Sequence, residues 1–136
     1  MAAITTRPLS DSTDSLLRFA MRADATLCAG AGLLIAMTAD PLARLSGLPA
    51  TAEWLGGAAL VAYGALLYLL AAVGELRRIG IGIVAANVAF AAVVVIVVVA
   101  HWLPLTAVGA AMALVLAAVT LGLAYLQYLG VRRLPA

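Results

Sequence analysis

The polar side chains that fall inside apolar segments are the residues of this sequence that could carry chemistry. Asp24, Tyr68, Asn87 and Gln127 each lie in a different apolar segment. At about 1.5 Å per helical residue, they lie roughly 3 to 13 Å from the charged residues that bound those segments. We therefore expect a polar layer with one member from each of four helices, in the third of the bundle nearest the cytoplasm.

Two hypotheses explain such a layer. Asn, Gln and Asp hydrogen-bond membrane helices to one another, at a modest gain of about 0.6 kcal/mol per contact. An ionisable residue inside a span is also a candidate functional site, here for a ligand or an ion. Interhelical hydrogen bonding is the simpler hypothesis, and the ligand or ion site is the alternative.

Asp24 is the member of this layer that needs a partner most. Arg22 is two residues away, about 200° around a helix, so the two charges point apart. Asp24 must therefore find a partner on another helix, reach water or be protonated. The available donors are Arg77, Arg78, Arg132, Asn87 and Gln127.

Other chemistry is poorly represented. The chain has one cysteine, Cys28, and one histidine, His101, and it contains no HExxH, CxxC or P-loop pattern. We therefore expect no metal, no cofactor and no enzymatic activity, because no nucleophile, base and orienting group can be assembled. Cys28 fits a packing role, and His101 fits the end of the third span better than a ligand site.

Composition indicates the elements that must position these residues. Of the 136 residues, 66% are hydrophobic and 10% are charged, whereas a soluble domain carries about a quarter charged residues. This is an all-α, polytopic membrane protein by composition, and no basic stripe indicates a nucleic acid partner. We expect a flexible tail at 1–10 and a single domain at 11–136 with four transmembrane helices, at about 16–39, 54–74, 79–100 and 105–130.

The breakers between the spans predict smaller features. Ser10 or Asp11 is expected to cap the first helix, which starts near Asp11. Pro41–Ser46 is expected to form a short interfacial helix, and Pro104 suits the start of the fourth span.

The arginines predict the orientation. If the N-terminus is cytoplasmic, seven of the eight arginines lie inside and Arg44 alone lies outside, which is a strong positive-inside bias. Trp54 and Trp102 then mark the outer interface, and Tyr125 and Tyr128 the inner one. We expect an up-down bundle with both termini in the cytoplasm, in a bacterial inner membrane.

Stripes of small residues predict where helices approach closely. One stripe lies on the first helix and one on the fourth, and the second helix offers Gly57, Val61 and Gly64. The two stripes are Ala25, Ala29, Gly32 and Ala36, and Gly109, Ala113 and Ala117. They serve the bundle itself or a partner helix.

Four segments together resemble a group of small bacterial four-helix integral membrane proteins. They are Leu17–Ala25, Asp40–Pro49, Ala86–Asn87 and Leu126–Arg133. The likeness covers nearly the whole chain and implies the fold and topology, but it implies no activity. Members often carry a glutamate just before the Leu-Gln-Tyr step, where this chain has Tyr125.

Two functional hypotheses follow. The first is an accessory or oligomer-forming subunit that acts through lateral helix contacts, with membrane lipids and a homo-oligomer or larger membrane complex as its partners. The alternative is a small transporter or channel for an ion, solute or lipid, in which Asp24, Asn87 and Gln127 line a vestibule that faces the cytoplasm.

Overall fold

The computed structural model describes residues 13–136, which form helices joined by short connections. Four of the helices are long and apolar enough to cross a membrane, by length and composition. The expected cap at Ser10 or Asp11 and the tail at 1–10 lie outside the described residues. The helices are α1 (Ser15–Met37), α2 (Ala39–Ser46), α3 (Ala50–Leu70), α4 (Leu76–Val99) and α5 (Ala107–Arg132).

The long helices correspond to the four predicted spans, with shifted ends. α3 begins at Ala50, four residues before the predicted 54, because Glu53 is buried against Ser46 instead of marking a wet boundary. α5 begins at Ala107 rather than near Pro104, because the Thr106 hydroxyl caps the helix by accepting from the Gly109 N–H at 3.0 Å. The short helix begins at Ala39, two residues before the predicted Pro41.

The helices pack in the order α3, α1, α5, α4. α1 packs against both α3 and α5, and α5 packs against α4, whereas α3 and α4 scarcely approach each other. Space is therefore left beside α3 and α4, because these two helices do not pack against each other. The site described below lies in this space.

One end of the molecule carries Arg18, Arg77 and Arg132 and is here called the basic end. At this end Leu17 packs against Gly80 and Gly130. A Cβ added to Gly80 or Gly130 would lie 2.7 Å from Leu17 atoms, so both backbones press against this fully buried side chain. Arg18 ties the start of α1 to the connection after α3, because its Nη1 donates to the Ala71 carbonyl at 2.5 Å. Its Nε pairs with Asp14 at 3.0 Å.

The opposite end, here called the Ser46 end, is held by α2. The Thr106 N–H donates to the Ser46 carbonyl at 2.9 Å, and the Thr106 hydroxyl donates to the Leu45 carbonyl. Gly47 adopts a left-handed φ of 87° and lies against the Pro104 carbonyl. A side chain at Gly47 would be strained in conformation and would also strike this connection.

Much of the apolar surface faces outward. Phe19, Leu69 and Val99 are 65 to 70% exposed. In water such a surface would be a liability, but it is the expected outer surface of helices that lie in lipid. The four apolar helices thus support a multi-pass membrane protein.

Candidate functional site

Asp24 lies at the centre of a buried polar cluster. Its side chain is 1% exposed. Oδ2 accepts from Asn87 Nδ2 at 2.8 Å and from Gln127 Nε2 at 2.7 Å, and Oδ1 accepts from Cys28 Sγ at 3.2 Å. All three neighbours donate to Asp24, which is the pattern that an ionised carboxylate accepts.

Asn87 joins the four long helices. Its Nδ2 donates to Asp24 on α1 and to Gln127 Oε1 on α5 at 3.0 Å. Its Oδ1 accepts from the Tyr63 hydroxyl on α3 at 2.8 Å. The Tyr63 bond therefore bridges α3 and α4, the neighbouring helices whose backbones stay apart.

Small residues on α1 and α3 bring the cluster together. A Cβ added to Gly64 would lie 2.6 Å from the Ala25 carbonyl and 2.9 Å from the Ala29 N–H. The two backbones therefore touch at the residues that follow Tyr63 and Asp24 in sequence. Cys28 is four residues after Asp24 and so lies on the same face of α1.

The predicted small-residue stripe on α1 lies against α3. Gly32 and Gly57 are in mutual contact, because a Cβ on either would lie 2.5 Å from the carbonyl oxygen of the other. A Cβ on Gly57 would also lie 2.6 Å from the Ala36 N–H. The α1 stripe therefore packs against α3 inside the protein.

The predicted stripe on α5 is divided between two environments. Gly109 lies against the Ser46 backbone at the end of α2. Ala117 is 2% exposed, whereas Ala113 is half-buried. The α5 stripe therefore packs partly against α2 and partly inside the bundle.

The arginines predicted as donors do not reach Asp24. Arg77 Nη1 donates to the Pro135 carbonyl at 3.1 Å, and the Arg132 guanidinium lies 5.8 Å from the centre of the Tyr128 ring. Among residues 13–136, the partners of Asp24 are amide and thiol groups, with no cation among them. The carboxylate is therefore buried without a neutralising charge.

Tyr68 does not belong to the cluster. Its side chain is 56% exposed and lines a shallow groove with Thr26 and Gly30 on the outside of α1 and α3. Tyr63 takes the place that was predicted for Tyr68. The two tyrosines are five residues apart, about 140° around a helix, and Tyr63 shares its face with Leu60, which also lines the cavity, and with the fully buried Leu67.

A cavity of about 130 Å³ lies beside the cluster, between all four long helices. Its polar wall is made by side chains of the cluster together with Thr120, and its apolar wall includes Phe90 from α4. The polar lining residues are Asp24, Cys28, Tyr63, Asn87 and Thr120, and the apolar ones are Leu60, Ala86, Phe90 and Leu116.

A larger apolar groove of about 570 Å³ adjoins this cavity. It runs between α1 and α5, from Val108 to Leu123 along α5, which is about 22 Å at 1.5 Å per residue. The groove and the cavity share five lining residues, and Asp24 is among them. The polar cluster therefore has an apolar path leading away from it.

A second buried acid lies at the Ser46 end, where sequence inspection did not place one. Glu53 is 9% exposed and accepts a hydrogen bond from the Ser46 hydroxyl. Its position in the first turn of α3 also suits the positive end of the helix dipole. These two contacts account for Glu53 as a structural residue that holds α2 on α3.

His101 ends α4 through its backbone. Its φ is 54°, its N–H donates to the Val98 carbonyl at 3.3 Å, and the Trp102 N–H donates to the Val97 carbonyl at 3.1 Å. This pair of bonds is the Schellman motif, in which glycine usually occupies the left-handed position. The exposed imidazole has no place in the Asp24 cluster.

Within residues 13–136, no group of three or more His, Cys, Asp and Glu side chains is placed to hold a metal ion. Comparison of the chain with protein-family models, curated proteins and solved structures finds no match. Among the described residues, the cavity beside Asp24 is the feature that could bind a ligand.

Proposed function

We propose that this chain is a non-enzymatic protein of a bacterial inner membrane that binds a small ligand in the cavity beside Asp24. The ligand is a solute or lipid that the protein carries or transports. The observation that supports this proposal is the cavity itself, which reaches both Asp24 and Asn87 from the middle of the bundle. The mutual bonds of the cluster hold the carboxylate at the cavity wall.

The cavity is large enough for a small molecule and is open at its rim, where Phe90 is 41% exposed. An apolar cavity of about 150 Å³ is large enough to hold benzene, so the space beside Asp24 suits a group of about that size.

The proposed topology is an up-down bundle with both termini in the cytoplasm. Contacts between α1 and α3 pair Gly32 with Gly57 and Ala25 with Gly64, so the two helices run in opposite directions. Arg18, Arg77 and Arg132 all lie at the basic end, which the positive-inside rule assigns to the cytoplasm. A fluorescent protein fused after Ala136 should fold and fluoresce, whereas alkaline phosphatase should be active when inserted after Trp102 and inactive when fused after Ala136.

Native mass spectrometry of the protein released from its membrane tests the proposed binding. We expect a small molecule bound to the natural chain and lost from Ala86→Trp, whose side chain enters the cavity. Ala85→Trp is the matched control, because Ala85 is the preceding residue on α4 and does not line the cavity. Equal ligand content in both variants would contradict the proposed site.

The second candidate function is an accessory or oligomer-forming subunit. It is favoured by the completeness of the hydrogen bonding, since within residues 13–136 every buried side-chain N and O atom has a partner. A cluster that serves only to hold helices together requires no more than this. The same spectra test this role, because a subunit should appear as a homo-oligomer or with a partner chain and carry no molecule that depends on Ala86.

A further inference from the structure

The polar wall of the cavity offers hydrogen-bond acceptors and no spare donors. Asn87 Nδ2 uses both of its hydrogens, on Asp24 and Gln127. The Tyr63 hydroxyl donates to Asn87, and the Cys28 thiol donates to Asp24. The Thr120 hydroxyl donates to the Leu116 carbonyl at 2.8 Å.

Acceptor capacity remains on the same wall. Oδ1 of Asp24 accepts a single bond, from Cys28, and a carboxylate oxygen has two lone pairs. The hydroxyl oxygens of Tyr63 and Thr120 also keep a lone pair each. A ligand that needs a donor from the protein finds none here, whereas a ligand that brings N–H or O–H groups finds acceptors.

The charge of the Asp24 carboxylate determines which of these donor ligands binds best. Asp24 is 1% exposed, and among residues 13–136 no cation contacts it. A buried carboxylate is costly without an opposite charge. A cationic ligand would supply the missing charge. Phe90 lines the same cavity, and its aromatic ring would also attract a cation.

The shape of the space defines the rest of the ligand. The groove between α1 and α5 is wholly apolar along most of its length and adjoins the cavity at Asp24. Leu27 and Val115 on its walls are 51 and 62% exposed, so the groove opens towards lipid. An aliphatic chain in this groove would keep its charged end at the carboxylate.

We propose that the ligand is an alkylammonium: a primary ammonium that donates N–H bonds to Asp24, attached to an aliphatic chain that lies in the α1–α5 groove. This inference rests on the proposed function, because it requires that the cavity bind a ligand. The ammonium belongs either to a free amphipathic amine or to the headgroup of an aminophospholipid.

The test compares four molecules with one eight-carbon chain, by isothermal titration calorimetry on the purified, detergent-solubilised protein. Octylamine carries charge and N–H donors, trimethyloctylammonium carries charge alone, 1-octanol donates without charge, and octanoate carries the opposite charge. We expect octylamine to bind about tenfold or more tightly than the others, because a hydrogen bond between charged groups is stronger than either feature alone.

Variants assign the preference to Asp24. Asp24→Asn should bind octylamine and 1-octanol equally, and Asp40→Asn should keep the preference. Asp40 is the matched control, since it is an exposed acid on α2 and its replacement changes the net charge equally. If Asp24→Asn does not fold, Ala86→Trp retains the carboxylate, fills the cavity and should lose binding of octylamine.

Two further outcomes separate this inference from the proposed function. Equal affinity of the natural chain for octylamine and 1-octanol, with both lost in Ala86→Trp, would overturn the ammonium while keeping the ligand cavity. Failure of the natural chain to bind any of the four molecules would overturn the alkylammonium, and equal ligand content of Ala86→Trp and Ala85→Trp in the native mass spectra would overturn the ligand cavity.

Repeating the titration in nanodiscs identifies the source of the ammonium. Weaker octylamine binding in discs that contain phosphatidylethanolamine than in discs of phosphatidylcholine alone would assign the site to a lipid headgroup. Equal binding in both would assign it to a free amine.

Discussion

Gly32 and Gly30 lie on the same helix, two residues apart, and face different surroundings. A Cβ added to Gly32 would lie 2.5 Å from the Gly57 carbonyl oxygen, 2.7 Å from Leu60 Cβ and 2.8 Å from the Val61 N–H nitrogen. A Cβ added to Gly30 would meet no atom of another described element within 4 Å. Gly32→Ala and Gly30→Ala therefore form a matched pair.

The magnitude follows from the contact distances. Unstrained carbon contacts lie at about 3.5 to 4.0 Å, so in Gly32→Ala the backbones of α1 and α3 must separate by about 1 Å. Overpacking of this kind costs about 1 to 3 kcal/mol. Alanine is about 1 kcal/mol better than glycine in a helix, and this gain is common to both variants. The difference between the two isolates the contact, at about 1 to 3 kcal/mol in favour of Gly30→Ala.

Unfolding in sodium dodecyl sulfate, followed by circular dichroism, measures this difference. We expect Gly30→Ala to match or exceed the natural chain in stability and Gly32→Ala to unfold at a lower fraction of the denaturing detergent. Because Leu60 also lines the ligand cavity, Gly32→Ala should weaken ligand binding as well. Equal stability of the two variants would refute the close approach of α1 and α3 at this level.

Three more predictions use the same unfolding assay. Gln127→Leu should lower the free energy of unfolding by about 1 to 3 kcal/mol, because it removes a donor from the buried Asp24 carboxylate; an unchanged stability would show that this bond is dispensable. His101→Gly should raise stability by up to about 1 kcal/mol, because glycine accepts a φ of 54° without steric cost, whereas His101→Ala keeps that cost and should give no gain. Gly47→Ala should be strongly destabilising, because it combines a φ of 87° with a clash against the α4–α5 connection. Gly122→Ala is the control and should be tolerated, because no other described element lies within 4 Å of a Cβ at this position. Equal effects of the two substitutions would argue against the packing of α2.

The spans and part of the cluster could be predicted because they depend on local features. Long apolar segments can cross a membrane whatever their neighbours are. Asp24 was predicted to find a partner on another helix, reach water or be protonated, and two of the candidate donors, Asn87 and Gln127, are its partners in the structure.

The remaining features depend on rotation and separation of the helices. Tyr63 replaces Tyr68 because α3 turns the face of Tyr63 and the fully buried Leu67 towards the cluster, whereas the prediction rested on depth along the span. The second span was predicted to begin at about 54, just after the charged Glu53, yet the bond of Glu53 to Ser46 allows this acid to be buried inside α3. The cavity results from the separation of α3 and α4, which no pattern in either helix specifies.

Alkylation of Cys28 tests the ligand cavity most directly. Cys28 is the single cysteine of the chain and lines both the cavity and the adjoining groove, so a small alkylating reagent such as iodoacetamide reports on the proposed ligand site. At about ten times the Kd of octylamine, about a tenth of the molecules remain free, so the rate of alkylation should fall about tenfold. The protection should disappear in Ala86→Trp. An alkylation rate that does not change at saturating octylamine would contradict the claim that the ligand lies beside Asp24.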